Sequence, residues 1–253
     1  MTDVKECIMR KATLLKTAAA AGVLGLLLTA CGGGETPEGG STESGESNAA
    51  TGEDVFPIMK DWKGCDALDN LQPLQDYLGV EAIANGELIN AGIGEGIDGE
   101  AMTCSGMLDL AAYEHAEYSD AGRAEVQMGI VPWENADIAA ENYQQRLDML
   151  EDAQSSGGSE YLNETTGALS GTWDESYFQT SNESETGTTN INAYGRNGQW
   201  ILYILLKVTP DPGLGAEDEP VYPHSEEELK TWVVEEYMPQ TQSEILAKIE
   251  SEQ

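Results

Sequence analysis

The residues able to do chemistry are few in kind. The chain carries four cysteines, Cys7, Cys31, Cys65 and Cys104, and two histidines, His115 and His224. No G-x-S-x-G elbow is present, so nucleophilic catalysis would need a cysteine or an isolated serine with a base beside it. His115 lies in Tyr113-Glu114-His115-Ala116-Glu117, and His224 directly precedes a helix-capping string. Both read as surface or capping residues rather than bases. Gly94-Glu95-Gly96-Ile97-Asp98-Gly99 fits the G-x-G-x-x-G spacing that cradles a dinucleotide between a strand and a helix. Here the string runs toward Thr103-Cys104 and a strand, and Glu95, Asp98 and Glu100 would repel a pyrophosphate. A flexible loop is expected, and no cofactor. Those three acids, or Asp211, Glu217, Asp218 and Glu219, could in principle converge on calcium. Neither set has EF-hand spacing, so solvated surface charge is expected and no metal ion. A carboxylate pair for glycoside hydrolysis cannot be picked out among so many acids. No residue is assigned a catalytic role, and the chain reads as a non-enzyme.

Charge narrows the partners. The 253 residues include 12 Lys+Arg against 46 Asp+Glu, a formal net charge of -34. Such a surface repels the phosphates of nucleic acid and offers anionic lipid no polybasic grip. Apolar residues make up 40%, enough for a packed core. The acidity suits either a salt-rich or alkaline habitat, where ions screen self-repulsion, or simply an acidic exported protein.

Residues 1–30 have the layout of an export signal. Lys5, Arg10, Lys11 and Lys16 precede an apolar run from Thr17 to Leu28 that is shorter than the roughly 20 residues of a membrane span. Leu28-Thr29-Ala30-Cys31 then places small residues before a cysteine. This string resembles the lipobox of bacterial lipoproteins, which implies attachment of one lipid group bearing two palmitate-class acyl chains to the Cys31 thiol and cleavage before it. Two chains anchor stably where one binds marginally. Residues 31–54 are the lipidated cysteine and a Gly/Ser/Glu-rich linker with a mean reach of about 25 Å. Residues 55–253 read as one domain without internal repeats.

Within that domain, Asp66–Leu78 reads as a helix with Leu68, Leu71 and Leu74 on one side and a fault at Pro73. Residues 85–100 read as loop. Strands are expected at Cys104–Ala111, Ala124–Trp133, Ala168–Thr180 and Thr188–Tyr194. Asn135 caps a helix to about Gln154, with Ala139, Tyr143, Leu147 and Leu150 at helical spacing. Gly195-Arg196-Asn197-Gly198 reads as a hairpin turn centred on Asn197-Gly198. Gln199–Val208, apolar on both faces, reads as a central covered strand. Pro210–Pro223 is an acidic loop. Ser225-Glu226-Glu227-Glu228 is a capping box opening a helix that Pro239 interrupts, with a last short helix from Thr241. Trp133, Trp173, Trp200 and Trp232 are expected in the core and Trp62 at the surface. The fold class is α+β, a single antiparallel sheet covered by helices.

With Cys7 removed and Cys31 lipidated, Cys65 and Cys104 remain. Outside the cytoplasmic membrane two such thiols pair, and a Cys65–Cys104 disulfide is expected. The rival reading is a metal site, for which cysteines 39 apart offer no ligand spacing. The order of lipobox, low-complexity tether, Cys65-Asp66-Ala67-Leu68 opening a helix that ends in Tyr77-Leu78-Gly79-Val80, and Cys104-Ser105-Gly106-Met107 opening a strand resembles the paired-cysteine envelope lipoproteins of actinobacteria. The resemblance implies an extracytoplasmic α+β domain and supplies no catalytic residues. The expected role is a membrane-anchored binding or accessory module of the cell envelope, held by its N-terminal lipid, with an envelope protein or ligand as partner and no nucleic acid. A transporter's solute-binding lipoprotein and a hydrolase of envelope polymers are the alternatives.

Overall fold

The computed structural model describes residues 54–110, 122–156, 160–209 and 223–253. Every described residue falls in one compact unit, Ser47–Gln253. The expectations for the export signal, Cys31, the tether, His115 and the acids from Asp211 to Glu219 lie outside the described residues.

One antiparallel sheet of eight strands organises the domain: β1 (Val80–Ile83), β2 (Ile89–Ala91), β3 (Met102–Leu110), β4 (Arg123–Pro132), β5 (Tyr161–Gly167), β6 (Glu175–Glu183), β7 (Thr189–Asn197) and β8 (Trp200–Thr209). The spatial order is β1-β3-β4-β8-β7-β6-β5, with β2 also paired to β3. β8 lies at the centre, as its two-sided apolar run requires. The helices are α1 (Phe56–Met59), α2 (Gly64–Ala67), α3 (Gln72–Leu78), α4 (Ala136–Ser156), α5 (Glu226–Trp232) and α6 (Met238–Glu252). This is the expected α+β class. No helix among the described residues is long and apolar enough to cross a membrane.

Alternation along the strands makes two unequal cores. Met102, Cys104, Val126, Met128, Ile130, Leu202 and Ile204 face a large cluster with Met59, Leu74, Leu229, Tyr237 and Ile245 from the short helices and α6. The opposite face carries a smaller cluster of Ala101, Val131, Tyr143, Tyr194, Ile201 and Tyr203. Only α4 among the described helices contributes to it, and one helix cannot cover so broad a sheet. The part that no described helix covers is where the candidate site lies.

Cys65 and Cys104 form a disulfide, with Cα atoms 4.5 Å apart. It joins α2 to β3. The approach is so close that a Cβ on Gly64 would stand 2.1 Å from the carbonyl carbon of Thr103. Only glycine fits there. Asn90 of β2 completes the joint, accepting from the Cys65 N–H at 2.8 Å and donating to Asp66 at 3.2 Å.

Several local expectations are corrected. The helix read over Asp66–Leu78 is broken at Asp69–Leu71, three residues with φ of 48°, 51° and 56°. Pro73 therefore sits in the first turn of α3, where its missing N–H costs nothing. Residues 85–100 are not all loop, since β2 lies within them. β5 was not expected, and the strand read over Ala168–Thr180 starts instead at Glu175. The β7–β8 loop is Gly198-Gln199, one residue later than expected, because Asn197 already pairs with Trp200. Gly198 takes φ 57° there, a conformation that suits glycine.

Ser225 does cap α5: it accepts from the Glu228 N–H at 3.2 Å, and Glu228 accepts in return from the Ser225 N–H at 2.8 Å. Pro239 does not break the C-terminal helix. A π-helical turn at Val233–Tyr237 leads into α6, and Pro239 falls in the first turn after it. The wider turn relieves the proline ring, so Thr241 and Gln242 are buried inside a continuing helix rather than opening a new one. Trp62 is buried, donating from its indole to Glu252 at 2.8 Å. Trp200 is buried as expected, while Trp133, Trp173 and Trp232 are half-buried.

Candidate functional site

A cleft of about 540 Å³ opens between α4, the loop ahead of β3 and the partly covered sheet face. That volume suits a small organic ligand. Its wall is a second stripe of α4. Ala139, Tyr143, Leu147 and Leu150 form the stripe that packs on the sheet. Asn142, Arg146, Met149 and Ala153, spaced by four, three and four residues, line the cleft beside it. The Asn135 side chain sets the helix register by accepting from the Ile138 N–H at 2.9 Å.

Arg146 is the only basic residue of α4, and its side chain is only 13% exposed. Its guanidinium reaches across 48 residues of sequence to Asp98, with Nη1 to Oδ2 at 2.6 Å and Nη2 to Oδ1 at 3.3 Å. Nη2 also donates to Glu100 at 3.2 Å, and Nε donates to Asn142 Oδ1 at 2.7 Å. Asn142 in turn donates to Glu100 at 2.9 Å. The Tyr203 hydroxyl donates to Asp98 at 3.0 Å and accepts from Gln127 Nε2 at 2.8 Å. The guanidinium carbon stands 5.4 Å from the centre of the Tyr203 ring, a cation–π arrangement. Tyr194 stacks on Tyr203 with ring centres 5.8 Å apart.

Gly129 makes this possible. It is the cross-strand partner of Tyr203, and a Cβ there would lie 2.6 Å from the phenol ring.

The electrostatics follow from burial and pairing. Burial pushes the Asp98 carboxyl up, but hydrogen bonds and charge from Arg146, with the Tyr203 hydroxyl and the Glu100 N–H, outweigh it and hold Asp98 below the ordinary carboxylate range. Burial would lower Arg146, yet Asp98 and Glu100 hold it above its usual value. Burial and the Asp98 charge push the Tyr203 phenol well above 10, and burial raises Tyr194 to about 12. Every one of these groups is thus held in its neutral-pH ionisation state. A general acid needs the reverse, a carboxyl raised toward neutrality.

The loop expected to be flexible and to carry solvated charge has another job. The Gly94 N–H donates to the Gly99 carbonyl at 3.0 Å, closing the loop. Glu95 pairs with Lys63 on one side, whereas Asp98 and Glu100 pair with Arg146 on the other. The three acids therefore do not converge. Among the described residues no group of three or more His, Cys, Asp or Glu is placed to hold a metal ion. His224 stacks on Tyr77 at 5.0 Å, at the end of a row that continues through Trp232 to Tyr237. Its Nδ1 lies 3.3 Å from the Ser225 carbonyl.

Sequence reading passed over Arg146, Asn142, Gln127, Tyr203 and Asn192. The signal available was Arg146 itself, a lone cation on an acidic helix beside an apolar stripe. The chain matches no protein-family model, no curated protein and no solved structure.

Proposed function

We propose that this chain is a lipid-anchored lipoprotein on the extracytoplasmic face of a bacterial membrane, and that its domain is a non-enzymatic binding module whose ligand enters the α4 cleft. The observation that carries the reading is the self-matched charge of that cleft. Arg146, Asp98, Glu100 and Tyr203 satisfy one another, which makes a rigid wall rather than a set of reactive groups. Ile97 and Met149 stand exposed at its mouth, an arrangement that favours apolar contact with something that docks there. The lipobox ending in Cys31 and the Cys65–Cys104 disulfide fit an exported protein. They also fit the paired-cysteine envelope lipoproteins of actinobacteria.

The alternatives meet specific objections. A transporter's solute-binding lipoprotein closes two lobes on its solute, whereas the described residues share one continuous sheet. A hydrolase of envelope polymers needs a raised carboxyl as general acid beside an ionised one, and Asp98, held low by Arg146, does not fit the acid's part.

Metabolic labelling with a fatty acid tests the anchor. The wild-type chain takes up label and Cys31→Ser does not; label persisting in Cys31→Ser contradicts the reading. Native mass spectrometry of the full chain recovered from its membrane tests the cleft. A small-molecule adduct diminished by Leu205→Trp supports binding there, and an adduct indifferent to that change opposes it.

A further inference from the structure

We infer that the α4 cleft takes an uncharged diamide: two amide groups flanking an apolar side chain, as in a capped apolar amino acid or a short neutral peptide segment. This rests on the cleft being the binding site and names the chemistry of what it binds.

The floor carries the argument. Gln127 pairs with Leu205 across β4 and β8, and Asn192 pairs with the same Leu205 across β7 and β8. The three side chains therefore form one cross-strand row, carboxamide, leucine, carboxamide, and all three line the cleft. Two strand spacings put the outer backbones roughly 10 Å apart. Asn192 makes no side-chain hydrogen bond among the described residues, and Gln127 uses only its Nε2, on Tyr203. Each thus offers the open lone pairs of a carboxamide oxygen, and Asn192 its NH2 as well. That is the complement of an amide at either end of a ligand. Leu205 below, with Leu150, Met149 and Ile97 around it, receives an apolar group between the ends.

Charge disfavours the other classes. Four of the five guanidinium N–H donors of Arg146 are engaged, so an anionic ligand would find a single open donor on Nη1 and would also enter the field of a chain with net charge -34. A cationic ligand would find both Asp98 oxygens already holding Arg146. The Glu100 Oε2 is shared between Arg146 and Asn142.

Three related probes separate these cases: N-acetyl-leucinamide, which is neutral, its near-isostere N-acetyl-leucine, an anion, and leucinamide, a cation that lacks the acetyl group. Saturation-transfer difference NMR on the full chain in lipid nanodiscs reads their binding, with Asn192→Leu as the cleft variant. That substitution keeps side-chain size and removes only the free carboxamide. The neutral probe is expected to bind best, and Asn192→Leu to weaken it by about five- to tenfold, as expected for one lost hydrogen-bonding group. A charged probe that binds better than the neutral one, and is sensitive to Asn192→Leu, overturns the diamide class while leaving the cleft as a binding site. If no probe gives a signal sensitive to Asn192→Leu or to Leu205→Trp, the cleft itself is overturned.

Discussion

Arg146 of α4 and Asp98 of the loop ahead of β3 form a two-pronged ion pair, 2.6 Å at its shorter contact, that ties the only described helix on one sheet face to the segment enclosed by the disulfide. Both side chains are mostly buried. The pair therefore works as a strut: it fixes the distance between the wall and the rim of the cleft. Tyr203 and Gln127 extend the same network into the floor.

Breaking the strut from one end leaves a half-buried charge without its partner. Arg146→Met and Asp98→Asn are each expected to cost about 2–4 kcal/mol. The double variant is expected to cost less than their sum by about 1–3 kcal/mol, because the pair is coupled. Urea denaturation of the four proteins measures this, and additive losses would show that the two residues do not support one another.

The pH dependence has a defined sign. Asp98 is held below its unfolded value of about 4. Its contribution to stability is fully present above that value and is lost as pH falls through it toward the folded value. His224 acts in the same direction. Burial lowers its pKa, so it stays neutral when folded and charges more readily when unfolded. Its share begins to be lost earlier, as pH falls below about 6.5. Denaturation midpoints between pH 7 and 2 should therefore fall less steeply below pH 4 in Asp98→Asn than in the wild type. Parallel curves would remove Asp98 from the account.

Gly64 is predicted to be indispensable to the disulfide joint. A methyl group there meets the backbone of Thr103 and Cys104 at 2.1–2.6 Å. Gly64→Ala must push α2 off β3, at a cost of about 3 kcal/mol or more. It should also leave Cys65 and Cys104 partly unpaired in thiol titration of the purified protein. Full pairing at wild-type stability would show that the helix can shift freely.

Much of this fold is legible because its signals are local. Alternation in Ala124–Trp133, the two-sided apolar run after Gln199 and the Ser225 box each point to one element, and each element lies close to its expected place. What escapes depends on distant partners. β5, Tyr-Leu-Asn-Glu-Thr-Thr-Gly, has no apolar face because it is an edge strand with mostly exposed side chains. The left-handed run at Asp69–Leu71 carries no glycine to announce it. Pro239 reads as a breaker unless the π-helical turn before it is known. The site is hidden for the same reason. Asp98 looks like one acid among many until the fold places Arg146 against it, and Asn192 looks like an ordinary polar strand residue until Leu205 and Gln127 line up beside it.

The central claim is that ligand binds at the α4 cleft and not elsewhere on the domain. A photoreactive benzoylphenylalanine can replace Met149 or Ile138, two exposed apolar residues of the same helix, of which only Met149 lines the cleft. After irradiation of intact cells, the mass of the α4 peptide reports what each position touched. The account predicts a small-molecule adduct at position 149 that is lost when Asn192→Leu is added, and none at position 138. Equal adducts at both positions, or an adduct at 138 alone, would contradict it.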